Sequence, residues 1–186
     1  TFGGQLLHLP KQQQDLEQWR QNTIASLKAA DNVTILTNTV CWGRFDGNTL
    51  AAHEVVDNKV RHNFHKIHAK KIIIATGAIE RPLVFANNDK PGVMLASGAR
   101  KLLNHYGVAA GRQLVVFTNN DSAYQTAIDY HHHNIKVSAI IDIRNEIDGD
   151  LPTLVESLGI KIYSGYVVSD TSGRKKITSI TIRKFE

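Results

Sequence analysis

Apolar residues in the first part of the chain change from helical spacing to strand spacing. Between residues 11 and 30 they lie three or four positions apart, which predicts an amphipathic helix that ends at Asp31 and Asn32. Residues 33–42 are rich in β-branched side chains and predict a strand. The apolar positions of the helix are Leu16, Trp19, Thr23, Leu27 and Ala30.

A hairpin is predicted to follow this strand. Asp46, Gly47 and Asn48 form a turn of the kind that joins hairpin strands, and the next two strands are predicted at 49–56 and 60–69. Residues 70–75 then form a short continuous apolar run, the pattern expected when both faces of a parallel sheet are covered. The first part of the chain is therefore predicted to be a helix and a β-meander that lead into a buried strand.

The second half of the chain has the pattern of a βαβ unit, the building block of a doubly wound sheet. Proline and glycine interrupt residues 81–92, which we interpret as a crossover between domains, and a helix is predicted at 98–106. The unit itself is predicted as strand 113–117, turn 118–121, helix 122–132 and strand 136–142.

A last helix and a second hairpin complete the prediction. The helix covers residues 151–158, and strands 161–168 and 176–184 form an antiparallel pair around Ser172 and Gly173. The fold class is therefore α/β, with two dinucleotide-binding, Rossmann-like parts that carry β-meander hairpins, the first part truncated. The predicted domains are 1–81, the C-terminal portion of a first dinucleotide-binding domain, 82–110, a crossover segment, and 111–186, a second, incomplete Rossmann-like domain.

Composition and charge exclude several classes of protein. The chain has 186 residues, 42% hydrophobic and 21% charged, as in an ordinary soluble folded protein, and no apolar run approaches the ~20 residues of a membrane span. The net charge is +5, and residues 59–81 hold six basic residues against one acidic residue. We interpret this bias as a solvated hairpin, with a nucleic-acid patch or a site for an acidic partner subunit as alternatives.

The cysteine count and the first residues point to a cytoplasmic fragment. The single cysteine, Cys41, cannot form an intrachain disulfide, which fits a reducing, cytosolic setting, and we interpret it as a small strand residue. The sequence starts with Thr1 rather than with a methionine, and no signal-peptide pattern follows. We therefore expect the chain to be an internal piece of a longer protein.

The string KKIIIATGAIERP, residues 70–82, carries the strongest functional signal. The buried strand ends in Ala75, Thr76 and Gly77, which have small side chains or none, at the edge where open α/β sheets bind ligands. Backbone can therefore approach a pyrophosphate or a ribose there. The alternative is an ordinary glycine turn after a parallel strand.

The βαβ unit lacks the glycines of a phosphate-binding loop. Thr118, Asn120 and Ala123 of TNNDSA stand where G-x-G-x-x-G/A is expected, and the Asn120 side chain is predicted to crowd the phosphate seat. Asp142 lies where a ribose-binding acid is expected. A working nucleotide site and a scaffold that has lost its site are the two alternatives, and we favour the scaffold.

The histidine clusters are not predicted to bind metal. Three consecutive histidines at 131–133 point in different directions around a helix, and cations are favourable at its C-terminus. His62, His65 and His68 alternate between the faces of a strand and are expected to be solvated surface.

Three strings of this sequence resemble the α subunits of bacterial heterotetrameric sarcosine oxidase and their close relatives. They are IIIATGAIERPLVFANNDKPGVMLASGARKLLNHYGV, LVVFTNNDSAYQTAIDY and SAIIDIR. The resemblance implies a complex with β, γ and δ subunits that oxidatively demethylates sarcosine to glycine, forms hydrogen peroxide and passes a one-carbon unit to tetrahydrofolate. It implies NAD in the intact α subunit, and FAD and FMN elsewhere in the complex rather than on this fragment.

The resemblance also assigns residues. It implies that Thr39 and Val40 are backbone neighbours of the adenine of a dinucleotide, and that Ala75, Thr76 and Gly77 are neighbours of its ribose and pyrophosphate. No catalytic residue is carried over, because no position matches a motif for proton transfer or flavin attachment. Two alternatives remain: the α subunit of an amino-acid or opine dehydrogenase complex, and a non-catalytic assembly module.

Overall fold

The computed structural model describes residues 2–10, 14–56 and 60–186. The chain divides into two compact units, one of Thr1–Gly4 with Gln14–Ala78 and one of Gln5–Gln13 with Ile79–Glu186. Within the described residues, no helix is both long enough and apolar enough to cross a membrane. The three-part division at 81 and 110 stays a prediction.

The first unit contains a helix and an antiparallel meander. Helix α1 spans Gln14–Ala29, and strands β1 (Thr39–Phe45), β2 (Thr49–Val56) and β3 (Arg61–His68) pair in that order. The predicted turn is confirmed, and Gly47 and Asn48 both have positive φ angles of 66° and 52° there. Residues 11–13 of the predicted helix lie outside the described residues.

One predicted strand of the first unit is partly wrong, and another is wrong. Residues 33–38 are not part of the strand predicted at 33–42, because Asn38, at φ 52°, breaks the extended conformation just before β1 begins. Residues 70–75 form no strand, and Ile73 and Ile74 are 91% and 73% exposed. A strand needs a neighbour to bond its N–H and C=O groups, and no described residue supplies one here.

The second unit contains a parallel sheet, three helices and a hairpin. Strands β4, β5 and β6 pair in parallel in that order, and β7 pairs with β8 in antiparallel fashion. The predicted βαβ unit is confirmed. In chain order the elements are α2 (Ala96–Tyr106), β4 (Gln113–Thr118), α3 (Ser122–His132), β5 (Lys136–Asp142), α4 (Asp150–Ser157), β6 (Ile162–Ser164), β7 (Tyr166–Ser172) and β8 (Ser179–Lys184).

Gly165 corrects the predicted strand at 161–168. Its φ of 70° breaks the extended conformation, so this stretch contributes to two sheets. Before the glycine, β6 pairs in parallel with β5, where Ile162 lies opposite Ile140. After it, β7 forms the hairpin with β8, so only this half of the stretch matches the predicted antiparallel pair.

The core of the second unit lies on both faces of the parallel sheet. On one face Ile140 packs with Tyr124, Val155 and other side chains of α2, α3 and α4, and on the other Ile141 packs with Val168 of the hairpin. Ile140 and Ile141 are consecutive residues that are 0% and 1% exposed. Each buried side chain of this size stabilises the fold by about 1.5–3 kcal/mol.

A buried ion pair joins α2 to α3. The carboxylate of Asp129, 1% exposed, accepts hydrogen bonds from Arg100 Nε (2.6 Å), Asn104 Nδ2 (2.6 Å) and Gln125 Nε2 (2.9 Å). Asn104 Nδ2 also donates to the carbonyl of His8 at 2.8 Å, which ties the N-terminal segment of this unit to α2. The network therefore holds two helices and a chain segment together.

Arg100→Leu should lower the free energy of unfolding by about 3 kcal/mol, because it leaves the Asp129 carboxylate buried without its cation. Urea denaturation of the chain measures the change. Lys101→Leu, the exposed neighbouring residue, is the control and should change the stability by less than about 0.5 kcal/mol. Equal effects of the two substitutions would contradict a stabilising role for the pair.

The segment before α2 is anchored on the hairpin by Asn87 and Lys90. Asn87 Nδ2 donates to Asp170 Oδ1 at 2.7 Å, and the carbonyl of Asn87 accepts from Thr171 Oγ1 at 2.8 Å. Lys90 Nζ donates to the carbonyl of Thr171 at 2.8 Å. The hydrogen bond from Asn87, followed by that from the Thr171 N–H, lowers the pKa of Asp170 below its ordinary value of 3.8.

Asp170→Asn should destabilise the chain at pH 7, and the difference from the parent protein should shrink below about pH 4. A carboxyl group whose pKa is depressed on folding stabilises the folded state above its unfolded pKa, and loses this effect as the pH falls through the folded pKa. Urea denaturation at pH 7 and pH 3 tests this. A difference that is the same at both values would show that the charge of Asp170 is not involved.

Candidate functional site

In the turn between β4 and α3, side-chain oxygens accept hydrogen bonds from the turn's own backbone N–H groups. Thr118 Oγ1 accepts from the Asn120 N–H at 3.1 Å and donates to the Asn120 carbonyl at 2.8 Å. Asn120 Oδ1 accepts from the Ser122 N–H at 3.0 Å and from the Ser122 hydroxyl at 2.5 Å. In a dinucleotide-binding turn such N–H groups hold the pyrophosphate, and here side-chain oxygens take that place.

Asp142, at the end of β5, has both carboxylate oxygens occupied by the protein. Oδ1 accepts from the backbone N–H and the Nε of Arg144 at 2.9 and 3.1 Å. Oδ2 accepts from the Tyr124 hydroxyl at 2.9 Å and from Arg144 Nη2 at 2.7 Å. Asp142 is 0% exposed, so its carboxylate orders the end of the sheet and is not open to a ribose hydroxyl.

Arg144 links the two strand ends. Its Nη2 bonds Asp121 Oδ1 at 2.7 Å as well as Asp142, so the guanidinium joins the turn after β4 to the residues after β5. The hydrogen bond with Asp142 raises the pKa of Arg144, and burial followed by the same carboxylate raises the pKa of Tyr124. Arg144 thus stays a cation and Tyr124 a neutral hydrogen-bond donor.

These contacts favour the second of the two alternatives for the βαβ unit, a scaffold without a working nucleotide site. The sequence identified Thr118, Asn120 and Asp142 but missed Arg144. An arginine two residues after the strand-end acid was the available signal, because it reaches the same edge of the sheet as that acid.

Ala75, Thr76 and Gly77 lie in an open segment of the first unit. From residue 71 to residue 85 the described chain makes no backbone–backbone hydrogen bond, so its N–H and C=O groups are free to meet another molecule. Gly77 has a φ of 74°, and a Cβ built there would meet no atom within 4 Å. The backbone is therefore accessible, as a dinucleotide contact requires.

Thr39 and Val40 form the first two residues of β1. Thr39 Oγ1 donates to the carbonyl of Thr37 at 2.9 Å, and Val40 pairs with His53 and is 64% exposed. Within the described residues, no hydrogen bond or strand pairing connects either residue with residues 75–77. The structure thus leaves the five predicted site residues as two separate groups.

Glu80 is a positioning residue that the sequence analysis missed. Its carboxylate accepts from the N–H groups of Ala96 at 3.0 Å and Ser97 at 2.8 Å, at the N-terminus of α2. Leu95 occupies the N-cap position and offers no side-chain hydrogen bond. A helix that starts at a leucine lacks a local cap, and that was the signal for a distant carboxylate.

Two open clefts of the chain are lined by residues other than the five predicted site residues. One of about 740 Å³ lies on the meander beside Trp42, Phe45 and Phe64. Another of about 330 Å³ lies beside the ends of β4 and β5, next to Phe117 and Phe185. The candidate site is therefore exposed backbone rather than a preformed pocket.

Curated relatives share most of this chain. It is 38% identical over 174 residues to the sarcosine oxidase subunit alpha of Corynebacterium sp. strain P-1, and 37% identical over 170 residues to that of Rhizobium meliloti strain 1021. The aligned regions cover 87% of this chain in both cases, and 18% and 17% of the relatives. The chain thus spans less than a fifth of their length. No family model matches it.

Solved structures share its fold. The thioredoxin reductase of T. acidophilum superposes with a TM-score of 0.60 at 15% identity, over 92% of this chain and 52% of that one. The L-proline dehydrogenase of P. horikoshii superposes with a TM-score of 0.57 at 20% identity, over 91% and 29%. The predicted α/β, Rossmann-like fold class is confirmed.

Replacing Thr118 and Asn120 together with glycine should reopen the turn after β4. The variant is expected to be less stable by about 0.5–1 kcal/mol per site, because glycine adds backbone entropy to the unfolded chain, and to bind NAD no worse than the parent. Urea denaturation and calorimetric titration with NAD measure the two effects.

Asn119→Gly is the matched control for the turn, because the Asn119 side chain bonds only its neighbour Asn120. It should lose a similar amount of stability per site, without freeing the Ser122 N–H. Micromolar binding of NAD by the parent chain, abolished by Asp142→Ala, would mean that the turn is a working site.

Proposed function

We propose that this chain, which belongs with the sarcosine oxidase α subunits over the region that it spans, supplies half of a dinucleotide site and a scaffold to a sarcosine oxidase-type complex. The dinucleotide is NAD, bound by the intact subunit. Its adenine lies beside Thr39 and Val40, and its ribose and pyrophosphate beside Ala75, Thr76 and Gly77. This chain holds no catalytic residue.

The open backbone at residues 75–77 carries this proposal. Three small residues follow an apolar run, Gly77 has positive φ, and no described backbone group bonds the segment. A pyrophosphate needs close approach to backbone N–H groups, which bulky side chains prevent. The sequence identity with the sarcosine oxidase α subunits covers this segment and supports the assignment of its role.

The rest of the enzyme supplies the chemistry. In the proposed complex, β, γ and δ subunits join the α subunit in the cytoplasm, and FAD and FMN lie outside this chain. The complex oxidises sarcosine to glycine with formation of hydrogen peroxide and transfers the one-carbon unit to tetrahydrofolate. The part of this chain in that reaction is to bind NAD and to hold the subunit together.

The second unit favours a scaffold role for the C-terminal part. Asn120 bonds the Ser122 N–H, and Arg144 bonds the Asp142 carboxylate, so both groups that a bound nucleotide would require already have partners. The side chains of Ile140 and Ile141 are buried. A module whose whole contribution is assembly is therefore the second candidate function. The α subunit of an amino-acid or opine dehydrogenase is a further alternative, since the Rossmann-like fold serves many oxidoreductases.

Gly77→Asp in the intact subunit should raise the dissociation constant of NAD at least about tenfold, because a carboxylate there repels the pyrophosphate. Gly47→Asp is a matched control, since Gly47 has a φ of 66° and equally open surroundings. Calorimetric titration measures both variants. Equal affinity in both would exclude the site, and an intact subunit that assembles without binding NAD would favour the assembly module.

A further inference from the structure

We propose that one face of the meander docks another subunit of the complex, through a partner surface of apolar and acidic side chains. The aromatic face, as it is called here, consists of Val40, Trp42, Phe45 and Phe64, whose exposed fractions lie between 50% and 77%. This inference rests on the proposed function, since such a partner exists only if the complex does.

The pairing of the strands places Val40 and Phe64 on the same face. Val40 of β1 pairs with His53 of the central strand β2, and His53 pairs with Phe64 of β3, so the three side chains form a row across the sheet. The ring of His53 stacks on that of Phe64 and on that of His62, with centroids 5.0 Å apart in both cases. These contacts restrict the Phe64 side chain, so less conformational entropy is lost when a partner binds.

Trp42 and Phe45 extend the aromatic face toward the other end of the meander. Phe45 pairs with Thr49, which lies four residues before His53 on β2 and therefore shares its face. The rings of Trp42 and Phe45 meet edge to face, with centroids 6.0 Å apart and planes 82° apart. Both rings line the cleft of about 740 Å³ that Phe64 also lines. The face is therefore concave and can receive protruding side chains of a partner.

A cluster of exposed aromatic side chains is typical of a protein interface. Aromatic residues are enriched in the centre of interfaces, where they contribute most of the binding energy. All four members of the aromatic face lie on the regular strands β1 and β3 rather than on loops. A partner therefore meets a preformed surface and does not have to order it.

The charge of the meander favours an acidic partner. Its three strands contain three cations and one acidic residue, Glu54. Glu54 accepts hydrogen bonds from His65 at 2.8 Å and from Asn63 at 3.1 Å, so its charge already has partners within the sheet. The cations are Arg44, Arg61 and Lys66.

Two of these cations lie beside the aromatic rings. Arg44 and Lys66 line the cleft, together with the acidic residue Asp46. A second copy of the same face would bring like charges together, whereas carboxylates of a different subunit would pair with the two cations. The structure therefore favours an acidic subunit over a second copy of this chain.

Binding of the intact α subunit to the other subunits, produced together without it, tests the aromatic face by biolayer interferometry. Trp42→Ser and Phe64→Ser should each raise the dissociation constant at least about tenfold, because each removes an aromatic side chain from the centre of the interface. Trp19→Ser is the matched control, since Trp19 of α1 is 59% exposed and Trp42 is 61% exposed. It should change the dissociation constant by less than about twofold.

Lys66→Glu tests the charge of the partner. It should weaken binding and make it less sensitive to salt, because it replaces an attraction to carboxylates by a repulsion and salt screens both. Lys184→Glu changes an exposed lysine of β8 and is the control. Tighter binding of Lys66→Glu would show that the partner surface is basic.

Urea denaturation of each intact variant shows whether the α subunit itself covers the aromatic face. Trp42→Ser and Phe64→Ser should unfold close to the parent, because both side chains are exposed until the partner binds. A marked loss of stability would mean that another part of the same subunit packs on the face, and would overturn the proposal.

The remaining outcomes identify other occupants or none. A dimer of α subunits that Trp42→Ser abolishes, or copurifying nucleic acid that Trp42→Ser releases, would assign the face to those occupants instead. Unchanged binding in folded Trp42→Ser and Phe64→Ser variants would also contradict the proposal, while leaving the complex in place. A parent α subunit that binds no other subunit would contradict the proposed complex itself, and this inference with it.

Discussion

The hydrogen-bonding requirement of a parallel strand is the constraint on which the structure depends. β5 has β4 on one side and β6 on the other, so its backbone groups are bonded while Ile140 and Ile141 are buried on opposite faces. Residues 70–75 have a similar apolar run without such neighbours, and Ile73 and Ile74 are exposed. The same sequence pattern thus gives a central strand in one place and an open segment in the other.

At the carboxyl ends of β4 and β5, side chains of the protein bond the groups that a nucleotide would contact, while the fold is kept. Asn120 accepts a hydrogen bond from the Ser122 N–H inside the turn, a donor of the kind that holds a pyrophosphate in a dinucleotide-binding turn. Arg144 bonds Asp121 of the turn and Asp142 at the end of β5 to each other. This arrangement stabilises the edge of the sheet in the absence of a ligand. It fits the proposed role of the second unit as a scaffold.

Long-range polar contacts connect segments that local sequence leaves undefined. Glu80 binds the N-terminus of α2, and Asn87 and Lys90 bind the hairpin strand β7. These residues belong to the strings that resemble the sarcosine oxidase α subunits, where the resemblance alone indicated no role. Their structural role explains why a crossover segment with little regular structure still has defined contacts.

The sequence by itself determined the elements whose signals are local. Helical spacing, the Asp46-Gly47-Asn48 turn and the βαβ pattern predicted α1, the turn between β1 and β2, and the order of β4, α3 and β5, because each depends on residues close in the chain. Thr118 and Asn120, which stand where glycines are expected, also predicted that side chains would crowd the place of the phosphate. Strings shared with a known family predicted the relatives, which no spacing argument could have done.

Only the tertiary structure decided features that depend on distant partners. The strand predicted at 70–75 required neighbours, the division of residues 161–168 between two sheets required β5, and the pairing of His53 with His62 required the register of β2 on β3. A single strand shows which side chains share its face, but only pairing with another strand sets which of them meet. That the five predicted site residues share one ligand stays a prediction, because such a site depends on contacts that the chain pattern does not contain.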